Sequence, residues 1–229
     1  MRRYKELLRL YKHPFTLIRL GRNSDGGYVV PKELISENLI TCGISNEISF
    51  EEDYIKNISA SNIHAYDGTI SSFPSNNKQF NFHKLNIGTK DTNREISLNS
   101  IIENNYKEGK IFLKMDIEGS EYQSFGSISK SNLERFSCIV IEVHRLDKEY
   151  DKFEKLLNLL EEHFVLIHKH DNNNGRYFSY EGKLIPNVYE LTFVNKCYIK
   201  DKVESDQKIH IEGLDFVNNT HVETKFPDL

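Results

Sequence analysis

Short apolar runs recur along most of the chain and are separated by longer polar stretches. Six of them alternate with spacers from residue 39 onward, and a seventh follows the sixth through a turn-rich segment without a helix. The runs lie at 39–43, 63–67, 82–88, 111–116, 138–143, 164–169 and 189–194. Continuous apolar strands between helical spacers are typical of a parallel sheet covered on both faces, whereas a strand that returns without a crossover is antiparallel. The pattern predicts an α/β fold with a doubly wound, mostly parallel sheet and one antiparallel strand near the edge.

The same pattern divides the chain into a central domain and two flanking segments. Residues 34–199 contain all of the predicted sheet. In residues 1–33 the pattern predicts an N-terminal helix over 3–12, ended by Pro14. A turn-rich segment follows, and we expect it to cover the cofactor or the acceptor. Residues 200–229 have little periodicity and predict a C-terminal extension of no defined structure.

Composition and charge restrict the class of protein. The chain has 229 residues, of which 11% are aromatic, a content that argues against a disordered chain. Lys and Arg number 30 against 34 Asp and Glu, so the formal net charge of −4 argues against nucleic-acid binding through phosphates. No apolar run approaches the ~20 residues of a membrane span. We therefore expect a small-molecule partner, with no nucleic acid and no membrane, and leave homo-oligomerisation open.

Three widely spaced cysteines indicate the redox environment of the cellular compartment. Cys42, Cys138 and Cys197 each stand beside apolar residues, and no C-x-x-C occurs. An odd number of isolated cysteines is not a disulfide framework, so they are typical of free thiols in a reducing environment. We expect a cytoplasmic protein.

Glycine and acidic residues end the first two predicted strands, where doubly wound sheets bind their ligands. Gly43 ends the first strand and permits a close approach of the backbone to a cofactor, and Ser45 and Asn46 follow it. Asp67 and Gly68 end the second strand, about 24 residues later, where a carboxylate binds the hydroxyls of an adenosine ribose. An ordinary turn at each place is the structural alternative.

No phosphate-binding loop accompanies this carboxylate. Neither G-x-G-x-x-G nor G-x-x-x-x-G-K-[ST] is present. A ribose-binding carboxylate without a pyrophosphate loop points to an adenosine cofactor that has no diphosphate, which is S-adenosylmethionine.

The most specific string, FLKMDIEGSEY at 112–122, follows the fourth strand. Five further strings occur in the same order: RLGRNSDGGYVVP (19–31), CGISNEISFE (42–51) with YDG (66–68), IEVHRL (141–146), HKHDNNN (168–174) and ELTFV (190–194). Together they resemble the FkbM-type S-adenosylmethionine-dependent methyltransferases over about residues 17–195. The resemblance implies a class I methyltransferase (Rossmann-like) fold, S-adenosylmethionine as methyl donor and O-methylation of sugars or other hydroxylated small molecules. The chain departs from the family where Asn46 or Glu47 replaces the second glycine of the first motif.

The predicted cofactor site combines the strand ends with the covering segment. Its residues are Gly43, Ser45, Asn46, Asp67, Gly68, Asn86, Asp116, Glu118 and Tyr28. For the acceptor, Arg145 and Arg176 are candidates for binding a phosphate, and Asn172 is a further candidate.

Transfer to a hydroxyl requires alignment of donor and acceptor and removal of the hydroxyl proton. His144 is the first candidate base and His170 the second, and Asp116 and Glu142 lie beside them at adjacent strand ends. The same group predicts an alternative, in which Asp116, Glu142 and either histidine hold a divalent metal that lowers the pKa of the hydroxyl. The sequence does not separate the two.

The sequence therefore predicts an S-adenosylmethionine-dependent O-methyltransferase. We expect it to act on a carbohydrate hydroxyl, that of a nucleotide-activated sugar used for surface polysaccharide such as capsule or lipopolysaccharide. An NAD-type oxidoreductase is one alternative, and it would need the absent G-x-G-x-x-G. A non-catalytic binding module of the same fold is the other, and it would not need Asp116, Glu142, His144 and His170 together.

Overall fold

A seven-stranded sheet forms the centre of the computed structural model, which describes residues 4–58, 62–180, 182–207 and 210–222. The strands are β1 (Leu17–Leu20), β2 (Tyr28–Pro31), β3 (Asn38–Cys42), β4 (Asn62–Tyr66), β5 (Phe80–His83), β6 (Asn86–Gly88), β7 (Glu95–Ser97), β8 (Ile111–Met115), β9 (Phe136–Val143), β10 (Phe164–Asp171), β11 (Tyr177–Tyr180), β12 (Lys183–Pro186) and β13 (Tyr189–Asn195). The helices are α1 (Tyr4–Leu7), α2 (Ser49–Ile55), α3 (Leu98–Asn105), α4 (Glu121–Gly126), α5 (Lys130–Leu133) and α6 (Leu146–His163), with 3₁₀ turns at Lys32–Leu34 and Lys196–Tyr198.

The order of the strands confirms the predicted fold. Neighbours in the sheet follow the order β10-β13-β9-β8-β3-β4-β5. Strand β13 is antiparallel to both of its neighbours, and the remaining pairs are parallel. The chain runs outward from β3 to β5 and returns to β8, so the order reverses between β3 and β8. This is the doubly wound, class I methyltransferase (Rossmann-like) arrangement, with its one antiparallel strand next to an edge.

Side chains of the central strands point alternately to the two faces of the sheet and form an apolar core on each face. Leu113 and Met115 of β8 enter one apolar cluster with residues of α3, α4 and α6, whereas Phe112 enters a second cluster with residues of α2 and β2. Successive strand residues point to opposite faces, so a continuous apolar run fills both clusters. None of the helices in the described part of the chain is long and apolar enough to cross a membrane.

Two local predictions are wrong. The run 82–88 is not one strand: β5 ends at His83, and β6 leaves the main sheet and pairs in parallel with β7. The predicted helix over 3–12 ends at Leu7, and its first residue lies outside the described residues. After Leu7 the chain is extended and pairs with β10, where the Tyr11 amide donates to the Leu166 carbonyl at 2.9 Å.

The C-terminal extension, to which the sequence assigned no secondary structure, packs back on the domain. The Ser205 amide donates to the Leu10 carbonyl and the Lys12 amide to the Val203 carbonyl, both at 2.9 Å. Farther along, Asp215 is only 4% exposed. The extension therefore supplies buried polar groups to the domain, which its lack of periodicity did not predict.

Candidate active site

A cavity of about 630 Å³ opens at the carboxyl ends of β3, β4 and β8, where the strand order reverses. The predicted cofactor residues that line it are Tyr28, Gly43, Ser45, Asp67, Asn86, Asp116 and Glu118. Two others do not: Asn46 is exposed outside it, and Gly68 packs against the side chain of Asn86. Asn86 reaches the cavity although the third sheet strand ends before it.

Gly43 allows β3 and β8 to approach closely at the entrance to the cavity. Its φ is +78°, and a Cβ at this position would lie 1.5 Å from the Asp116 carbonyl oxygen. The Asp116 amide donates to the Cys42 carbonyl at 3.0 Å, which holds the two strand ends together. Ser45 also has a positive φ, of 51°. The turn after β3 thus exposes its backbone to the cavity.

Asp67 organises this turn from the end of β4. Its Oδ2 accepts the amides of Ile44 and Ser45 at 2.9 and 2.8 Å, and its Oδ1 accepts the amide and hydroxyl of Thr69 at 2.7 and 2.5 Å. Burial would raise the pKa of Asp67, but these hydrogen bonds lower it below its ordinary value. Both oxygens are therefore already occupied, and a ribose hydroxyl would have to replace one of these donors. Ribose binding by Asp67 stays a prediction.

Asp116, Glu142 and His144, hereafter the acid–histidine cluster, meet at the carboxyl ends of β8 and β9. The Nε2 of His144 lies 3.3 Å from Glu142 Oε1 and 3.7 Å from Asp116 Oδ1. Glu142 and His144 are 6% and 7% exposed, and Asp116 lines the cavity in front of them. The three could place ligand atoms within 4.8 Å of one another, which is close enough to share a metal ion. The sequence prediction correctly brought these three together.

Glu121 holds the ring of His144 from the other side. Its Oε1 lies 3.0 Å from His144 Nδ1 and also accepts the Ile117 amide at 3.1 Å. Glu118, by contrast, is an exposed side chain with its Oε2 3.7 Å from His144 Nε2. Glu121 is fully buried and its position in the first turn of α4 did not reveal its contact with His144.

The carboxylates around His144 determine its charge. Burial alone would lower the pKa of His144, but the hydrogen bonds and charges of Glu121 and Glu142 outweigh it and raise the pKa to about 11. Burial and the nearby Asp116 raise the pKa of Glu142 to about 8. His144 is therefore an imidazolium at neutral pH in this arrangement. A base must be unprotonated, so the predicted role of His144 as base requires that its proton first be displaced.

Tyr28 connects the cavity to this cluster. Its hydroxyl oxygen lies 3.0 Å from Asp116 Oδ2 and 3.2 Å from Glu142 Oε2. The hydroxyl has one proton, which it donates to one carboxylate at a time. Burial raises the pKa of Tyr28 well above its ordinary value, and both carboxylates add to the effect. Tyr28 therefore remains a neutral donor.

A second group of carboxylates shares Glu142 and was not predicted. Asp25, Glu142 and Glu190 approach one another, and Asn172 donates to all three at 3.0 to 3.4 Å. Asn218 of the C-terminal extension donates to Glu190 Oε1 at 2.5 Å. Burial raises the pKa of Glu190 to about 7. Asn172, predicted to bind the acceptor, is fully buried as a structural donor in this network, so that prediction is wrong.

Neither His170 nor Arg176 lines the cavity: the structure corrects the prediction for His170, whereas acceptor binding by Arg176 stays a prediction. His170 is 3% exposed, and its Nε2 and Nδ1 lie 3.0 Å from Asn218 Oδ1 and 3.3 Å from Asp215 Oδ1. Both nitrogens are occupied by the C-terminal extension, so His170 is removed from the candidate bases and ligands. Arg176 is exposed on the segment before β11 and lines neither this cavity nor its neighbour.

Arg145 lines a neighbouring cavity of about 650 Å³ that meets the first at Glu118 and Ser120. It packs over Gly119, where a Cβ would lie 3.2 Å from its Nε. Lys152 and Lys155 of α6 line the same cavity. Arg145 thus has neighbouring cations suited to an anionic ligand, and its role as an acceptor-binding residue stays a prediction.

Comparison with known proteins identifies relatives of this chain. A family model described as the methyltransferase FkbM domain matches residues 16–179. A search of curated proteins gives no match. Similar solved structures include precorrin-6y C5,15-methyltransferase from Geobacter metallireducens GS-15, at 13% identity over 71% of this chain and 83% of that chain, with a TM-score of 0.41.

Two further solved structures show a comparable likeness. A candidate rRNA methylase from Clostridium thermocellum is 8% identical over 72% of this chain and 90% of that chain, with a TM-score of 0.40. A candidate hemolysin from Streptococcus thermophilus is 11% identical over 75% of this chain, with a TM-score of 0.40. The match covers 62% of the hemolysin, which is less than two thirds of its length.

Proposed function

The chain belongs to the FkbM methyltransferase family, and on that premise we propose that it O-methylates a carbohydrate hydroxyl. Membership implies S-adenosylmethionine as the methyl donor. The cavity of about 630 Å³ has the volume of a ligand site, typically ~300–1,000 Å³. It lies at the switch in strand order, where doubly wound sheets bind ligands, so the described residues fit such a donor.

The observation that carries the proposal is the acid–histidine cluster, whose Asp116 lines this cavity. Methyl transfer forms a bond between the acceptor oxygen and the methyl carbon and breaks the bond from that carbon to the donor sulfur. The acceptor hydroxyl must also release its proton. Asp116 and Tyr28 line the cavity, and the Tyr28 hydroxyl lies 3.0 Å from Asp116 Oδ2 and 3.2 Å from Glu142 Oε2, so an acceptor hydroxyl placed beside Asp116 would meet one carboxylate and a fixed donor, with Glu142 behind them.

The charge of the cluster favours a divalent cation over a histidine base. Four carboxylates lie within 3.7 Å of a ring nitrogen of His144, and they belong to Asp116, Glu118, Glu121 and Glu142. Acidic groups therefore outnumber the one imidazole that they surround. Asp116, Glu142 and His144 would hold the cation, which would displace the proton of the imidazolium, since metal ligands must be deprotonated and oxygen and imidazole donors together suit divalent metals. A cation bound there would lower the pKa of the acceptor hydroxyl. Glu121 would keep the Nε2 of His144 directed at it.

The acceptor that we propose is a nucleotide-activated sugar for surface polysaccharide such as capsule or lipopolysaccharide. Arg145, Lys152 and Lys155 line the neighbouring cavity together with Glu118 and Glu149, and Lys152 is paired with Glu149 at 2.7 Å. Arg145 and Lys155 are therefore the cations that we propose for a diphosphate. This cavity meets the first at Glu118 and Ser120, so a sugar in one and its diphosphate in the other would lie side by side.

A labelled-methyl transfer assay tests the proposal, with binding of S-adenosylhomocysteine measured separately by calorimetry. We expect transfer to at least one nucleotide sugar, and Asp116→Asn should lose transfer while retaining S-adenosylhomocysteine binding. The exposed Asp151→Asn is the matched control and should leave both unchanged. Binding without transfer to any nucleotide sugar would overturn the proposed acceptor. Binding of NAD in place of S-adenosylhomocysteine would overturn the donor and favour an oxidoreductase.

Removal of metal separates the two proposed ways of activating the hydroxyl. A chelator should abolish transfer without weakening S-adenosylhomocysteine binding, and Mg²⁺ or Mn²⁺ should restore it. Transfer that survives the chelator but is lost in His144→Ala would instead assign the proton to the histidine.

A further inference from the structure

Lys114 is a buried cation in the cavity that the proposed function leaves without a role. It lies on β8, two residues before Asp116, and is 5% exposed. Its Nζ donates to the Gly43 carbonyl at 2.6 Å and lies 5.5 Å from the centre of the Tyr28 ring. Among the residues that the structure describes, the Gly43 carbonyl is the one acceptor within hydrogen-bonding distance. An ammonium group has three donors, so two remain for a ligand.

The rest of the cavity lining is strongly acidic. Its carboxylates are Asp25, Glu47, Glu51, Asp67, Asp116 and Glu118. Among the described lining residues the cations are Arg22 and Lys114. Arg22 has 60% of its side chain exposed and is paired with Glu47, whereas Lys114 is enclosed. Lys114 is therefore the enclosed cation that an anionic group entering the cavity would meet.

S-adenosylmethionine, the proposed methyl donor, carries groups of both signs, and an acidic cavity would bind its positive groups more readily than its negative one. Its sulfonium and α-ammonium groups are positive and suit the acidic lining, but its α-carboxylate requires a cation. The covering segment could have supplied Arg19, but this guanidinium donates to the carbonyls of Arg22, Ser24 and Leu214 at 2.6, 2.7 and 3.0 Å. Arg19 does not line the cavity. Lys114 remains, and it lies against the Gly43 turn where the sheet opens.

We propose that the Lys114 ammonium binds the α-carboxylate of S-adenosylmethionine and so fixes the methionine end of the donor beside Gly43. This inference rests on the proposed donor. Glu51 supports Lys114 from α2: it is fully buried, accepts a hydrogen bond from the Thr41 hydroxyl, and interacts electrostatically with the lysine. Gly43 contributes its carbonyl, so the turn and the cation form one site.

The test compares three ligands by calorimetry: S-adenosylhomocysteine, its decarboxylated analogue S-adenosyl-3-thiopropylamine, and 5′-methylthioadenosine. Lys114→Met keeps the apolar stem but removes the charge. We expect it to weaken S-adenosylhomocysteine binding by about 10- to 100-fold, as for the loss of a charge-assisted hydrogen bond. Binding of the two ligands without a carboxylate should change by less than about twofold, so the preference of the wild type for the carboxylate would disappear.

Matched variants keep the result specific. Lys110→Met removes an exposed lysine of the segment before β8 and should leave all three affinities unchanged. An equal loss for all three ligands in Lys114→Met, or an unchanged preference, would overturn the inference, as would loss of the preference in Arg22→Met instead. If Lys114→Met does not fold, Lys114→Met with Glu51→Gln removes both charges and is judged by the same comparison. A wild type that binds none of the ligands would overturn the proposed donor itself.

Discussion

Replacing Gly43 by alanine should disrupt both the stability of the domain and its donor site. Two effects add in this variant. Alanine at a φ of +78° costs about 1–2 kcal/mol, because a Cβ in the left-handed region crowds the backbone. The new Cβ would also lie 1.5 Å from the Asp116 carbonyl, against a minimum of 3.0 Å for real contacts, so the ends of β3 and β8 must separate by about 1.5 Å. Overpacking of this kind costs about 1–3 kcal/mol.

Gly182→Ala is the matched control for the backbone effect. Gly182 has a φ of +76°, and a Cβ there would meet nothing within 4 Å. We expect a loss of unfolding free energy of about 1 kcal/mol in Gly182→Ala and about 2–5 kcal/mol in Gly43→Ala, measured by urea denaturation. Because Asp116 and Ser45 flank the displaced turn, Gly43→Ala should also bind S-adenosylhomocysteine at least about tenfold more weakly. Equal stabilities within about 0.5 kcal/mol, with normal binding, would refute the reasoning.

Three further variants test other parts of the structure. Asp215→Asn removes one of the three groups, with Glu190 and Asn218, that raise the pKa of His170 from 6.5 to about 9. It should lower the free energy of unfolding by at most about 3 kcal/mol below pH 6.5, and urea denaturation should show the difference shrinking as the pH rises through about 9; a constant difference would contradict the assignment. Tyr28→Phe removes the donor between two carboxylates and should lower kcat about 10- to 100-fold with little change in S-adenosylhomocysteine affinity, and an unchanged kcat would show that the hydroxyl is dispensable. Asp67→Asn leaves one side-chain oxygen to accept the four hydrogen bonds that Asp67 now accepts. It should lower the free energy of unfolding without ligand by about 1–3 kcal/mol in thermal or urea denaturation. If Asp67 only binds ribose, the variant would change the affinity for S-adenosylhomocysteine and not the free energy of unfolding.

Much of the sheet and part of the site could be predicted from local patterns. Six of the seven apolar runs became single strands of the main sheet, because a strand buried on both faces needs apolar residues at every position; the run 82–88 is the exception. The acid–histidine cluster was found because the carboxyl ends of parallel strands meet at one edge of a sheet. Glu142 and His144 were placed on one side because alternate residues of a strand point the same way, and their atoms do approach to 3.3 Å.

The errors have a common physical origin. His170 resembles His144 in the sequence, since both lie near strand ends beside acidic residues, but Asp215 occupies His170 from 45 positions farther along the chain. Asn172 was assigned to the acceptor and is instead enclosed by three carboxylates from different elements. No local pattern announces such a partner, because the partner comes from another part of the chain.

The sequence by itself determined the class of fold, the family and the edge of the sheet at which the candidate site lies, because these follow from periodicity and from short strings whose residues are neighbours in the chain. The tertiary structure alone decided which polar groups face the cavity and which are already satisfied. Backbone partners occupy Asp67 and Arg19, carboxylates surround His144, and Lys114 donates to the Gly43 carbonyl at the edge of the cavity. A side chain can bind a ligand only through donors and acceptors that are not already paired within the folded chain. Which of them remain unpaired depends on contacts between residues that are distant in sequence.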